Sequence, residues 1–235
     1  MIQSKENFVI GEFTMRKSSI IKYTTTSVLF VLFIAFTLLV ALVGKENIGP
    51  NNSSIGLSTI NSINKNLTYN EILDKITDIS IIIALAFAGI ICVIGIYQWI
   101  KRKSLKEVDF RIILSIIIYA VMFAFYVFFE LVIVNYRPIL IDGQLEASFP
   151  SSHVLFTLTT LITAIPLLHK YLNNKKLIIV FDIIIISLCL FTMIARLLCG
   201  IHWLTDILGA VILSATLIML YFSILDIYTN HKKVE

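Results

Sequence analysis

Six stretches of this chain are almost wholly apolar and about long enough to cross a bilayer. Nothing else in the sequence constrains the fold so strongly. They run Ile20–Val43, Ile79–Ile100, Ile112–Asn135, Val154–Leu168, Leu177–Ile194 and Thr205–Leu225. A membrane hydrocarbon core needs about 20 helical residues; the fourth stretch is short but passable. Inside lipid every backbone N–H and C=O must find its partner within the protein, so blocks of this length dictate helices. The composition agrees, with 58% hydrophobic and only 14% charged residues, where a soluble domain carries roughly a quarter charged. The expected fold class is all-α: an integral membrane bundle of six transmembrane helices, forming one membrane-embedded domain over residues 1–235.

The loops set the orientation. One alternating set carries Lys5, Arg16, Lys17 and Lys22, then Lys101, Arg102, Lys103, Lys106 and Arg111, then Lys170, Lys175 and Lys176, then Lys232 and Lys233. Those are 14 of the 19 basic residues; Lys45, Lys65, Lys75, Arg137 and Arg196 fall on the other side. The positive-inside rule then puts both termini in the cytoplasm, which six crossings allow. Residues 1–19 form a cytoplasmic N-terminal segment. The apolar run behind it exceeds the roughly 7–15 residues of a signal-peptide core, so it reads as a retained helix. Residues 44–78, polar and rich in Asn and Ser, read as an external loop with a short surface helix at its end.

The net charge of +4 does not indicate nucleic-acid binding, because the basic residues are dispersed among short loops between spans. Cys92, Cys189 and Cys199 lie far apart, in or beside apolar runs, and suggest neither a disulfide framework nor a metal site. Abundant Ile, Asn and Lys point to an AT-rich, bacterial genome. Oligomeric state is not legible.

Three polar interruptions fall on the external side of this topology. They are "NYRPILIDG" with Arg137, "LEASFPSSHV" with Ser151, Ser152 and His153, and "ARLLCGIHWLTD" with Arg196, His202 and Asp206. Charged groups beside hydrocarbon are costly, and their default reading is functional. Two arginines offer planar donor forks suited to phosphate oxygens. Pro150-Ser151-Ser152-His153 reads as a helix start, whose free N–H groups attract anions. Two histidines provide a nucleophile and an acid. Asp206, four residues after His202, shares its helical face and can fix the imidazole tautomer. The set suits phosphoryl transfer, in which positioning and charge neutralisation do most of the work. It requires neither metal nor cofactor. Read singly, each piece has a plain structural account: a helix end, a cap, an interfacial histidine. Their ordered occurrence on one side is what carries the functional reading.

At these residues the sequence resembles the type 2 phosphatidic acid phosphatase (PAP2) superfamily, whose signature is Lys-x6-Arg-Pro, Pro-Ser-Gly-His and Ser-Arg-x5-His-x3-Asp. Here Arg137-Pro138, Pro150-Ser151-Ser152-His153, and Arg196, His202 and Asp206 match, within a motif region spanning residues 130–206. Three positions depart: Glu130 stands where the family has lysine, Ser152 where it has glycine, and Ala195 where it has serine. The resemblance implies a membrane phosphatase for a lipid phosphate or diphosphate at the outer face of the cell membrane. Phosphatidic acid, phosphatidylglycerol phosphate and undecaprenyl diphosphate are the candidate substrates. It implies His202 as nucleophile forming a phosphohistidine, with Asp206 orienting it. His153 would act as acid and then as base. Arg137, Arg196 and the amides near Ser151 and Ser152 would hold the phosphate. Glu130 is a possible modulator, expected to form an ion pair with Arg137 two helical turns later or to face water near the interface. The alternative is a catalytically silent relative that binds or moves lipid phosphates.

Overall fold

The computed structural model describes the backbone of residues 2–234 and the side chains of residues 19–230. The side chains of most of the N-terminal segment 1–19, and those of Lys232 and Lys233, therefore lie outside the described residues. Six long helices carry the apolar stretches: α1 (Ile2–Leu42), α3 (Glu71–Arg102), α4 (Phe110–Leu131), α5 (Ser152–Tyr171), α6 (Lys175–Leu198) and α7 (Leu204–Val234). Each contains a window long and apolar enough to cross a membrane. A short helix, α2 (Ser58–Asn61), lies between α1 and α3.

Helix α5 is the centre of the bundle and packs against α3, α4, α6 and α7. Its most apolar window is 56% buried, whereas those of α1 and α6 are each 17% buried. This explains why α5 is the least apolar of the six. Thr157, Thr159, Thr160 and Thr163 are buried on it, and Tyr119 from α4 hydrogen-bonds both the Thr160 carbonyl (3.2 Å) and Thr163 Oγ1 (3.1 Å). A helix enclosed by protein can carry hydroxyls, because neighbouring helices satisfy them. The outward residues Val31, Leu85, Val93, Ile183 and Ile194 are exposed and apolar.

Two boundaries differ from the apolar blocks, and both matter to the site. Helix α3 begins at Glu71, two turns before Ile79. Asn70 caps it, its Oδ1 accepting from the Leu73 amide at 3.0 Å, and Glu71 and Asp74 sit favourably in its first turn. Helix α4 ends at Leu131, so Val132–Asn135 belong to the following loop.

The stretch between α1 and α3 is not the plain surface loop its composition suggests. Asn61 is fully buried and Asn64 nearly so. Asn61 Nδ2 donates to the Gly56 carbonyl (2.9 Å) and to Thr205 Oγ1 (3.0 Å), while its Oδ1 accepts from the Thr205 amide (3.1 Å). Asn64 Nδ2 donates to the His202 carbonyl at 2.8 Å. The Gly56 amide donates to Asn135 Oδ1 at 2.9 Å. A Cβ on Gly56 would stand 1.6 Å from the Val40 carbonyl oxygen, so no other residue allows this close approach. The Asn-rich segment is a floor of amides beneath the start of α7.

Candidate active site

The three polar motifs meet at one end of the bundle. The turn between α6 and α7 brings His202 back over the end of α6, with Gly200 at φ +74° providing the left-handed residue the reversal needs. Trp203 and His202 are each 1% exposed and Asp206 is fully buried. The loop before α5 is pinned from two sides. Trp203 Nε1 donates to the Tyr136 carbonyl at 2.7 Å. Phe149 packs among Phe33 and Phe129, with ring centroids 6.5 and 5.6 Å away.

His202 is the convergence point. Arg137 Nη1 and Arg196 Nη2 both lie 3.4 Å from its Nε2. Guanidinium groups only donate, so this nitrogen is an acceptor and the proton sits on Nδ1. Nδ1 faces Asp206 Oδ2 at 3.4 Å, and that oxygen also accepts from the Trp203 amide at 2.8 Å. Burial, together with the charges of Arg137 and Arg196, holds the His202 imidazole well below its ordinary pKa. It is therefore neutral at pH 7, with a lone pair on Nε2 between two cations.

The arginines are tethered by carboxylates that motif matching missed. Arg196 Nη1 is bound by Asp74 and donates to Thr77 Oγ1 at 2.9 Å. Its Nε is buried with no hydrogen-bond partner among the described residues. Nε is thus unpartnered, and Nη2 beside it on the same edge points at His202. His153 Nε2 lies 2.9 Å from Asp78 Oδ1, and its buried Nδ1 has no partner among the described residues. Asp74 and Asp78 are four residues apart on α3, on one face. The legible signal was the helix start at Asn70-Glu71, which moves "LDKITD" out of the loop and onto a span.

The expected pairing of Glu130 with Arg137 is not what the fold makes. The chain between them is not helical, since α4 stops at Leu131. Instead, residues 136–147 fold back on themselves around Asp142 and Gly143, both at positive φ, with isolated antiparallel bridges at Tyr136–Ala147 and Ile141–Gln144. The Arg137 amide donates to the Glu146 carbonyl (3.0 Å), and its Nε lies 3.1 Å from Glu146 Oε2. Glu130 lines the same narrow pocket as Arg137, Ser148, Ser152 and His202. The Ser151 amide is also committed, donating to the Asp206 carbonyl at 3.1 Å. Of the two serines it is Ser152, the first residue of α5, that lines the pocket.

An integral membrane protein of six spans, with paired arginines around a neutral histidine at one bundle end, is the class these features define. Residues 129–229 match the model of the PAP2 superfamily. No curated protein matches the sequence. Among solved structures the chain is similar to a phosphatidylglycerolphosphate phosphatase from Bacillus subtilis, described as the first transmembrane PAP2-type enzyme of that kind. The TM-score is 0.57 at 17% identity, covering 89% of this chain and 97% of that one. At that identity the likeness is one of fold.

Proposed function

We propose that this protein is a membrane phosphatase that removes a phosphoryl group from a lipid phosphate or diphosphate through a phosphohistidine on His202. The observation that carries the reading is the buried, unpartnered Nε of Arg196, next to an Nη2 aimed at the His202 lone pair, with Arg137 completing the clamp. Phosphate oxygens held by these forks bring phosphorus to Nε2. The P–N bond forms as the P–O bond to the lipid alcohol or phosphate breaks. His153, protonated, donates Nε2–H to Asp78 and Nδ1–H to the leaving oxygen. Neutral again, it takes a proton from water, which attacks phosphorus, frees inorganic phosphate and restores His202. Asp206 keeps the Nδ1–H tautomer and balances the charge that His202 gains.

The basic loops at the opposite end of the bundle support an extracytoplasmic site, where undecaprenyl diphosphate, phosphatidic acid or phosphatidylglycerol phosphate would present its headgroup with the tail still in the bilayer. One observation favours the silent-relative reading: Glu130 and Glu146 stand beside Arg137, lowering the positive potential where phosphate would sit. Phosphate release from a panel of these lipids by purified protein, with and without EDTA, separates the two. Turnover that survives EDTA and vanishes in His202→Ala and His153→Ala is expected. Release by His202→Ala at the wild-type rate, or by no protein on any lipid, would sink the proposal.

A further inference from the structure

A larger cavity lies at the other end of the bundle. It measures about 520 Å³, against about 10 Å³ beside His202, and falls within the roughly 300–1,000 Å³ of small-molecule sites. The ends of α3, α5 and α7 meet the start of α4 there, about 25 Å from His153 at 1.5 Å per residue along α5. Four cations line it, Arg102, Lys106, Arg111 and Lys170, with two acids, Glu107 and Asp109.

The two acids offset the four cations only in part. Asp109 is fully engaged: it receives Lys170 Nζ at 2.6 Å, the Tyr171 hydroxyl at 3.0 Å and the Arg111 amide at 3.2 Å, with the Arg111 guanidinium 3.6 Å away. Burial pushes the Asp109 carboxyl up, but the bonds from Lys170, the Arg111 amide and Tyr171 outweigh it and leave its pKa below the ordinary value. It is ionised and committed. Arg102 donates to the Glu107 backbone carbonyl, and among the described residues neither Arg102 nor Lys106 forms an ion pair. Helix-dipole complementarity accounts for Arg102 and Lys170, at the C-terminal ends of α3 and α5. It does not account for Lys106, in the linker, or for Arg111, in the first turn of α4, where a cation is disfavoured. Phe110 and Tyr228 stack at 3.9 Å and 18° to form an apolar wall beside these charges.

We propose that this cavity is a second anion site, which takes the phosphate-bearing headgroup of an anionic phospholipid from the leaflet opposite the active site. Excess cations beside an apolar aromatic wall, at the level where spans leave the bilayer, suit a phosphodiester with its acyl chains running into the membrane. This does not depend on the protein being a phosphatase.

The test is thermal unfolding of the purified protein in detergent, titrated separately with phosphatidylglycerol, phosphatidylcholine and inorganic phosphate. Phosphatidylglycerol should stabilise the wild type where phosphatidylcholine does not. Its half-effective concentration should rise about fivefold for each charge removed in Lys106→Gln and in Lys106→Gln/Arg111→Gln. Lys106 is exposed, so the single variant keeps the test alive if the double variant fails to fold. Inorganic phosphate acting with the same sensitivity to these variants would support the anion site and assign its source as soluble phosphate. Equal effects of the two lipids, or of phosphatidylglycerol on wild type and on Lys106→Gln, would overturn it.

Discussion

Asp74→Asn tests whether the carboxylate on α3 holds Arg196 ready for phosphate. The side chain of Arg196 is 2% exposed and that of Asp74 16%, so water screens little of their attraction. A hydrogen bond to a charged group is worth about 1.5–3 kcal/mol net. Asn keeps the shape and an acceptor oxygen, which leaves the loss at the lower end, ~1.5 kcal/mol. It also avoids the 3–5 kcal/mol typical of stranding a buried charge by truncation. If that energy goes into holding the guanidinium's Nε–Nη2 edge toward the His202 Nε2, kcat/KM should fall about tenfold. Thr77→Val removes the second tether, a bond from the charged guanidinium to a hydroxyl, and at the lower end of the same range should also cost about tenfold. The assay is phosphate release from a lipid phosphate by protein of wild-type melting temperature, paired with inhibition by orthovanadate as a phosphate mimic. Both should weaken together. Unchanged kcat/KM and vanadate inhibition would refute the tether. Tighter vanadate binding would refute it differently, showing that Asp74 competes with phosphate for Arg196.

Three further outcomes are expected. Glu130→Gln removes a negative charge from the pocket without stranding a partner, so the chemistry should survive while KM falls about two- to fivefold, more for a diphosphate than a monophosphate; complete loss of turnover in a folded variant would make Glu130 a required acid or base. Asn61→Ala leaves the Thr205 amide and the Gly56 carbonyl unpaired in a buried position, costing about 2–5 kcal/mol, and a melting temperature within about 4 °C of wild type would contradict this. The His202 pKa is lowered from 6.5, so the unfolded chain binds the proton first. The stability His202 contributes is fully present above pH 6.5 and is lost as pH falls below it, and the acid limb of phosphoenzyme formation, read by rapid quench, should likewise lie below 6.5. A limb at or above that value would mean that His202 is not the neutral nucleophile.

Much of the fold was legible because lipid leaves a chain few choices. A long apolar block must become a helix, and six of them appear where the hydropathy places them. The spacing of Arg196, His202 and Asp206 survives folding because it is local. The non-helical turn that holds His202 and the first residues of α7 carry it, and neighbours along the chain remain neighbours in space. The same locality made the start of α5 at Ser152 readable from Pro150 and Ser151.

What sequence could not deliver was every relation between distant segments. Glu130 and Arg137 are seven residues apart, yet the end of α4 separates them, and the fold-back of residues 136–147 hands Arg137 to Glu146. Asp74 and Asp78 look like loop acids until α3 is capped at Asn70 and laid beside α6 and α5, where they hold Arg196 and His153. Asn61 and Asn64 look like solvent-facing polar residues. They are buried because the backbone between α6 and α7 leaves helical geometry to present His202, and its exposed amides and carbonyls need partners that only a returning, amide-rich segment supplies. Composition records how polar a residue is; the packing of the helices sets which polar group lies opposite it, and that opposition makes the site.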